Sequence, residues 1–260
     1  MGSQKIQGEL WGNKVNDWAS IQEATSMPIY EHVLQFLKIK PGETLLDVGC
    51  GTGFFSDLAF KKGVDVTGLD ASVQFNKHAK LRNPSINFIV GEMEELPFAD
   101  NTFNIVCGFN SFQYAENIKN AFSEAKRVLK GNGKFAVIIW GNKEDCETAT
   151  YMEAVGSLLP PPPPGSAGPF NLSENQLLEK TLEEIGFRII DNTDVISIWD
   201  YPNADNALKG LMSSGPIARA IDICGFEKVY ETIAAAIQPY IRQNGHVVYN
   251  NKFRVVISEK

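Results

Sequence analysis

The chain has 260 residues, of which 43% are hydrophobic, enough for a sizeable core in one large domain or in one domain with an elaborated cap. Its formal charge of −7, with no arginine-rich run to offset it, argues against a nucleic acid partner. No stretch approaches the roughly 20 apolar residues of a membrane span, and the polar N-terminus lacks the apolar region of a signal peptide, so we expect a cytoplasmic protein without a membrane partner.

Cysteine and histidine positions exclude two further classes. The 4 cysteines have no CxxC spacing, which indicates reduced thiols rather than a disulfide framework. The 3 histidines are far apart in sequence and show no paired spacing, so we expect no metal site.

An N-terminal helical segment is predicted over residues 1–40. Apolar residues recur at helical spacing only in its second half, for example Val33 and Leu37. The first half carries Trp11 and Trp18 without a clear period, and we interpret it as a mobile lid.

Short apolar runs then alternate with helical patterns from Thr44 to Trp140. This alternation is typical of βαβ units and a parallel sheet, here assigned to residues 41–142. The helix that precedes the predicted strand at 133–140 is expected to end at Gly131-Asn132-Gly133. Strands are predicted at 44–49, 64–69, 86–91, 103–108 and 133–140, and helices at 53–62, 72–82 and 117–130.

Residues 143–260 interrupt the end of this sheet with cap segments. A run of five prolines within 159–169 predicts a loop, which is either a spacer or a wall of the acceptor pocket. The remaining predicted elements are a helix capped by Ser173 that runs to Glu184, a strand at 188–199, helices within 204–240 broken at Gly215-Pro216 and Gly225, and a closing strand or hairpin at 246–258.

A glycine-rich turn follows the strand at 44–49. Gly49, Gly51 and Gly53 are spaced as GxGxG, unlike the GxGxxG of dinucleotide enzymes, and no Lys-Ser/Thr follows as in a Walker loop. Asp47 at the strand end would repel a pyrophosphate and would suit an ammonium group. The turn therefore favours a ligand approached closely by the backbone, against the alternative of an ordinary tight βα turn.

The run from Leu45 to Gly53, LLDVGCGTG, resembles motif I of class I S-adenosylmethionine-dependent methyltransferases. The segment 123–133 is similar to the family pattern Glu-x-x-Arg-Val-Leu-Lys-x-Gly-Gly, and the resemblance covers residues 40–142. It implies an α/β fold with a doubly wound, mostly parallel seven-stranded sheet, helices on both faces, and a helical cap placed before and within the C-terminal strands. It also implies S-adenosylmethionine as cofactor and S-adenosylhomocysteine as product.

Roles in cofactor binding follow from the same resemblance. Asp70 is expected to bind both ribose hydroxyls, as a carboxylate can accept two hydrogen bonds from a diol. Glu92 and Met93 are expected beside adenine, and Phe109 at the strand end that passes the methionine moiety. The cofactor-binding residues so implied are Trp18, Asp47, Gly49, Cys50, Gly51, Gly53, Asp70, Ala71, Glu92, Met93, Glu94 and Phe109.

The implied chemistry requires little of the protein beyond alignment, because a methyl group on a sulfonium is already electrophilic. Gln113-Tyr114 occupies the place where many family members carry a His-His pair. Tyr114, His246 or a cap carboxylate would have to act as base if the acceptor is an alcohol of high pKa. A phenolate, thiolate, amine or activated carbon would need positioning alone.

The acceptor is expected to be a small, apolar or aromatic molecule that carries an O, N, S or C nucleophile. Each aromatic side chain proposed here has core packing as its alternative role. An NAD-linked oxidoreductase, a non-catalytic S-adenosylmethionine-binding subunit or regulator, and a protein or RNA methyltransferase are the competing interpretations. Either a monomer or a homodimer would fit. The candidate acceptor-pocket residues are Trp140, Phe170, Tyr201, Met212 and Ile217.

Overall fold

The computed structural model describes residues 2–160 and 168–260, which form a seven-stranded sheet covered by helices. Most of the predicted proline-rich loop falls on residues 161–167, outside the described residues. The parallel strands are β1 (Thr44–Val48), β2 (Asp65–Asp70), β3 (Asn87–Val90), β4 (Phe103–Phe109) and β5 (Leu129–Trp140).

Two long antiparallel strands complete the sheet, namely β6 (Arg188–Tyr201) and β7 (Val247–Glu259). The order is β3-β2-β1-β4-β5-β7-β6, and β7 runs antiparallel to both of its neighbours. The prediction of a doubly wound, mostly parallel seven-stranded sheet is confirmed. Because β1 lies between β2 and β4, the chain winds away from it in both directions, which leaves a crevice at its carboxyl end.

The helices between the parallel strands pack on both faces of the sheet and bury two separate apolar clusters. They are α4 (Phe54–Phe60), α5 (Val73–Arg82) and α6 (Ile118–Val128). In α6 the side chains of Ala121, Phe122, Ala125 and Val128 are buried, a spacing that places them on one helical face.

The junction of α6 and β5 differs from the prediction. We placed a helix to residue 130 and a turn before a strand at 133, but α6 ends at Val128 and β5 begins at Leu129. Phe103 pairs with Leu129 whereas Ile105 pairs with Lys134, so the glycine-rich stretch bulges out of the ladder instead of ending the helix.

The N-terminal segment is helical throughout most of its length. It contains α1 (Gln4–Trp11), α2 (Val15–Asp17) and α3 (Met27–Leu37), with short helical turns at Gly12–Lys14, Trp18–Gln22 and Glu23–Ser26. Five side chains of α3 are buried, but α1 buries none and lies on the surface of the molecule.

Five more helices lie in the described part of the C-terminal half. These are α7 (Ala149–Gly156), α8 (Leu177–Glu184), α9 (Ala204–Leu211), α10 (Gly215–Cys224) and α11 (Phe226–Ala236). The predicted breaks near Gly215 and Gly225 separate the last three. Short 3-10 turns lie at Phe112–Tyr114, Lys143–Asp145, Asn171–Gln176 and Gln238–Tyr240.

The prediction that Ser173 caps a helix is wrong. Ser173 lies inside the 3-10 turn before α8, and its buried hydroxyl donates a hydrogen bond to the carbonyl oxygen of Trp140. Across the part of the chain that the structure describes, we find no helix with the length and apolar character that crossing a membrane requires.

Candidate cofactor and acceptor site

A cavity lies at the carboxyl ends of β1, β2 and β4, under the N-terminal segment. Turns that follow these strands form its floor, and α1, α3 and the turns between them form its roof. This is the crevice that the strand order creates, where ligands bind in open α/β sheets. The predicted residues that line it are Trp18, Gly49, Gly51, Asp70, Ala71, Met93, Phe109 and Tyr114.

The three glycines of the turn have left-handed backbones but different surroundings. A Cβ on Gly49 would lie 2.3 Å from Cβ of Ser111, and one on Gly53 would lie 2.8 Å from Cζ of Phe88. At Gly51, by contrast, the nearest atom would be 3.9 Å away, in the ring of Phe75. Gly49 and Gly53 thus permit close packing, whereas Gly51 presents bare backbone to the cavity.

Asp70 ends β2 and lines the cavity beside this turn. Its carboxylate accepts hydrogen bonds from the backbone N–H groups of Gly51, at 2.8 Å, and Ser72, at 2.7 Å. Burial raises the pKa of Asp70 to about 6. Each carboxylate oxygen keeps a further lone pair, so the group is able to accept hydrogen bonds from two neighbouring hydroxyls.

Asp47 does not line the cavity. Its side chain is 1% exposed and accepts a hydrogen bond of 2.6 Å from the hydroxyl of Ser56 in α4. Burial raises the pKa of Asp47 to about 7. The structure therefore places this carboxyl group beneath the glycine turn, where it joins β1 to α4.

The two acidic residues after β3 have separate contacts. Glu92 accepts a hydrogen bond of 2.7 Å from the backbone N–H of Gln4, the first residue of α1, and caps that helix in place of Ser3. Glu94 accepts hydrogen bonds from the backbone N–H groups of residues 116 and 117 before α6. Neither lines the cavity, although Met93 between them does.

Aromatic rings cover the cavity. Trp11 packs edge-on against Trp18, with 5.2 Å between ring centroids, and against Tyr114, at 5.4 Å. The ring of Phe75 lies 6.1 Å from that of Trp18. The two tryptophans of the predicted lid segment therefore meet over the glycine turn.

Tyr114 lines the cavity, and burial holds the pKa of its hydroxyl well above the usual range. A phenol that keeps its proton is able to donate a hydrogen bond but does not act as a base at neutral pH. His246, the other candidate base, precedes β7 at the surface, where its ring lies 2.6 Å from Asp200. It is not among the described residues that line the cavity.

The predicted acceptor residues are buried in the core instead of lining the cavity. Trp140 stacks on Phe253 with 4.6 Å between ring centroids and also contacts Phe170. The hydroxyl of Tyr201 donates to the side chain of Gln22 at 2.8 Å. Met212 and Ile217 are buried in the same apolar cluster.

Cys50 and Gly53 also lie outside the lining. Several residues that we did not single out as pocket residues line the cavity instead: Gln7, Ser26, Tyr30, Ile138 and Phe253. Asn110, at the strand end that the sequence places beside the sulfonium, also lines the cavity, because it directly follows β4 at the same edge as the glycine turn. Phe253 carries no such signal, since only its pairing with Trp140 across β5 and β7 places it there.

The residues present fit S-adenosylmethionine. The bare backbone of Gly51 and the carboxylate of Asp70 form a cradle that accepts a ribose diol, and a Cβ at position 51 would project into it. Aromatic faces suit a cationic sulfonium and an adenine ring. A doubly wound sheet with this crevice is typical of enzymes that bind a nucleoside cofactor.

Comparison with known proteins agrees with a site for S-adenosylmethionine. The model of the methyltransferase domain family matches residues 46–137. The chain is 41% identical over 180 residues to the demethylmenaquinone methyltransferase of Renibacterium salmoninarum, which is 67% of this chain and 67% of that protein. The chain belongs to the S-adenosylmethionine-dependent methyltransferase family, and S-adenosylmethionine is its cofactor.

Two further proteins are informative. Squalene methyltransferase 1 of Botryococcus braunii is 28% identical over 185 residues, 67% of this chain but 48% of its own, so the chain spans about half of that relative. The structure of a putative methyltransferase from Bacillus halodurans has a TM-score of 0.61 and 18% identity, and the match covers 89% of this chain and 98% of the other. This second likeness shows the fold alone.

Proposed function

We propose that this enzyme transfers a methyl group to a small apolar or aromatic acceptor whose nucleophilic atom needs no proton removal by the protein. The observation that carries the proposal is the cavity lining. Its described part includes Tyr30, Phe109, Ile138 and Phe253, holds Asp70 as its one carboxylate, and contains no histidine, lysine or arginine. Such a wall favours an apolar acceptor and offers no general base.

The tyrosines strengthen the argument against base catalysis. Burial holds the pKa values of Tyr30 and Tyr114 well above the usual range, so both hydroxyls keep their protons. The names of the two relatives give demethylmenaquinone and squalene as acceptors, and both are apolar molecules. They support the same acceptor class here.

Within the site we assign the cofactor to the floor of the cavity. Asp70 would hold the ribose, the backbone at Gly51 would lie against the methionine chain, and Met93 and Trp18 would border the adenine ring. When bound, S-adenosylmethionine supplies an electrophilic methyl group. Residues 1–40 act in this proposal as a lid, 41–142 as the cofactor-binding core, and 143–260 as the acceptor cap and the last strands.

The first experiment is calorimetric titration with S-adenosylmethionine, S-adenosylhomocysteine and NAD. Asp70→Asn should weaken binding of both adenosyl compounds roughly 100-fold, because it removes charge-assisted hydrogen bonds to the ribose. Asp65→Asn, at the exposed start of the same strand, is the matched control and should leave affinity unchanged. Equal affinity in wild type and Asp70→Asn would refute the assignment of the ribose site.

The second experiment measures formation of S-adenosylhomocysteine with a panel of acceptors. Prenylated naphthohydroquinones and isoprenoid alkenes represent apolar acceptors, and primary amines and sugars represent polar ones. We expect turnover with at least one apolar compound. Turnover confined to amines or sugars would overturn the proposed acceptor class.

A further inference from the structure

The turn after β4 presents a polar group to the cavity in a fixed orientation. Asn110 has a left-handed backbone, with φ of 49°, and its N–H donates to the carbonyl of Ile138 at 2.8 Å. This conformation and this bond hold the residue at the cavity wall. Asparagine is among the few residues that adopt this backbone readily.

Gln113 contacts the side-chain amide of Asn110. Its Nε2 donates to Oδ1 of Asn110 at 3.2 Å. The Asn110 oxygen is therefore engaged, and its Nδ2 makes no hydrogen bond within the described residues, so this donor is available to a ligand. Oε1 of Gln113 is buried and has no hydrogen-bond partner among the described residues.

Tyr114 adds a second donor to the same wall. Its hydroxyl keeps its proton and makes no hydrogen bond within the described part of the chain. The donors of Asn110 and Tyr114 are neutral, and no residue that the structure describes accepts a hydrogen bond from either of them. Two neutral donors in an apolar wall match an oxygen that carries negative charge.

We propose that Asn110, oriented by Gln113, donates a hydrogen bond to an oxyanion on the acceptor, so that the enzyme selects ionised hydroxyarenes, hydroquinones among them. This inference rests on the proposed function and narrows its acceptor class. Asn110 is then a specificity-determining residue and Gln113 a positioning residue.

The reaction balances without a protein base. The hydroxyl proton of the acceptor passes to water, and the resulting charge is shared between its oxygen and the neighbouring ring carbon. An electron pair from that carbon forms the new C–C bond while the S–CH₃ bond breaks and leaves its pair on sulfur. The proton on the methylated carbon then leaves to water, which restores the aromatic ring.

The test compares two ligands that differ only in whether they carry hydroxyl groups. One is a short-chain prenylated naphthohydroquinone, assayed as substrate, and the other is the matching prenylated naphthalene, assayed as a competitive inhibitor. In the wild type we expect the hydroquinone to bind at least about tenfold more tightly, as one hydrogen bond to a charged group allows. Its kcat/KM should rise with pH towards the pKa of its own hydroxyl.

Two variants separate recognition from structure. Asn110→Gly removes the amide and keeps the left-handed backbone free of strain. In Gln113→Glu the new carboxylate can only accept a hydrogen bond at this contact. Nδ2 of Asn110 should therefore turn towards the carboxylate and away from the cavity, which presents Oδ1 to the acceptor. Both should raise KM for the hydroquinone about tenfold to hundredfold, with the inhibition constant of the hydrocarbon and the affinity for S-adenosylmethionine unchanged. Asn120→Ala, exposed on α6, is the control and should change nothing.

The outcomes distinguish the two proposals. If the variants weaken hydroquinone and hydrocarbon equally, or if the wild type does not discriminate between them, the role of Asn110 is refuted. If the wild type methylates other apolar acceptors but no hydroxyarene, this inference fails and the proposed function stands. If it methylates no apolar acceptor at all, both fail.

Discussion

Replacement of Asp47 by asparagine tests how the buried carboxyl under the glycine turn affects stability. The group is 1% exposed, and burial raises its pKa from 3.8 to about 7. Between these two values the folded protein holds a proton that the unfolded chain releases. The folded state is therefore favoured at low pH, and stability is lost as pH rises from about 4 through about 7.

The size of this effect follows from the shift, at about 1.4 kcal/mol for each pKa unit. The raised pKa costs the folded state about 2 kcal/mol at pH 5 and about 4 kcal/mol at pH 8. Asparagine is neutral at both values and close in shape, so any packing change that it causes is independent of pH. Relative to the wild type, the free energy of unfolding of Asp47→Asn should rise by about 2 kcal/mol between pH 5 and pH 8.

Urea denaturation followed by tryptophan fluorescence at the two pH values measures this difference. Asp57→Asn is the matched control in the same helix-turn region. Lys61 and Asn83 contacts hold the pKa of Asp57 below its usual range, so its charge is constant from pH 5 to pH 8. If Asp47→Asn and wild type differ by the same amount at both pH values, the carboxyl is not protonated in the folded state and the argument is wrong.

Three other substitutions have expected outcomes. Gln4→Pro removes the N–H that Glu92 accepts and also disfavours the α-region backbone of Ser3. The start of α1 should therefore open more readily, and stopped-flow measurement should show S-adenosylmethionine leaving up to about tenfold faster. Arg82→Met leaves Glu23 buried without its cation, and the free energy of unfolding in urea should fall by about 3 kcal/mol. Gly51→Ala places a Cβ in the cofactor cradle, so calorimetry should show weaker cofactor binding while far-UV circular dichroism shows a folded protein.

The sequence was sufficient to predict the sheet and the edge of that sheet at which the cavity lies. Alternating strands and helices admit few topologies, and parallel strands bring their carboxyl ends together, so Asp70 and the turn at Gly51 were predictable neighbours. The ends of elements were less predictable. The helix α6 stops two residues early because Leu129 pairs with Phe103, a contact 26 residues away in the chain.

The positions of aromatic residues relative to the cavity were the hardest to predict. The size of a tryptophan or tyrosine predicts burial but not direction, so Trp140 and Tyr201 were assigned to a pocket and lie in the core. Phe253 lines the cavity because the antiparallel register of β7 places it opposite Trp140, and no local pattern specifies that register. Polar residues that directly follow a strand, such as Asn110, are a better guide to which side chains line the cavity.

At Glu23 the N-terminal segment divides into a first part that lies on the surface and a second part that is fixed to the core. This carboxylate is 5% exposed and binds Arg82 and the hydroxyl of Thr52, so it fixes the turn before α3 to the glycine-rich loop. The helix α1 has no buried side chain, and its N-terminus is held by Glu92. Few buried contacts mean a low free energy of local opening. Hydrogen exchange in α1 should therefore be faster than in α3, and opening confined to residues before Glu23 would give the cofactor its path without disturbing the core.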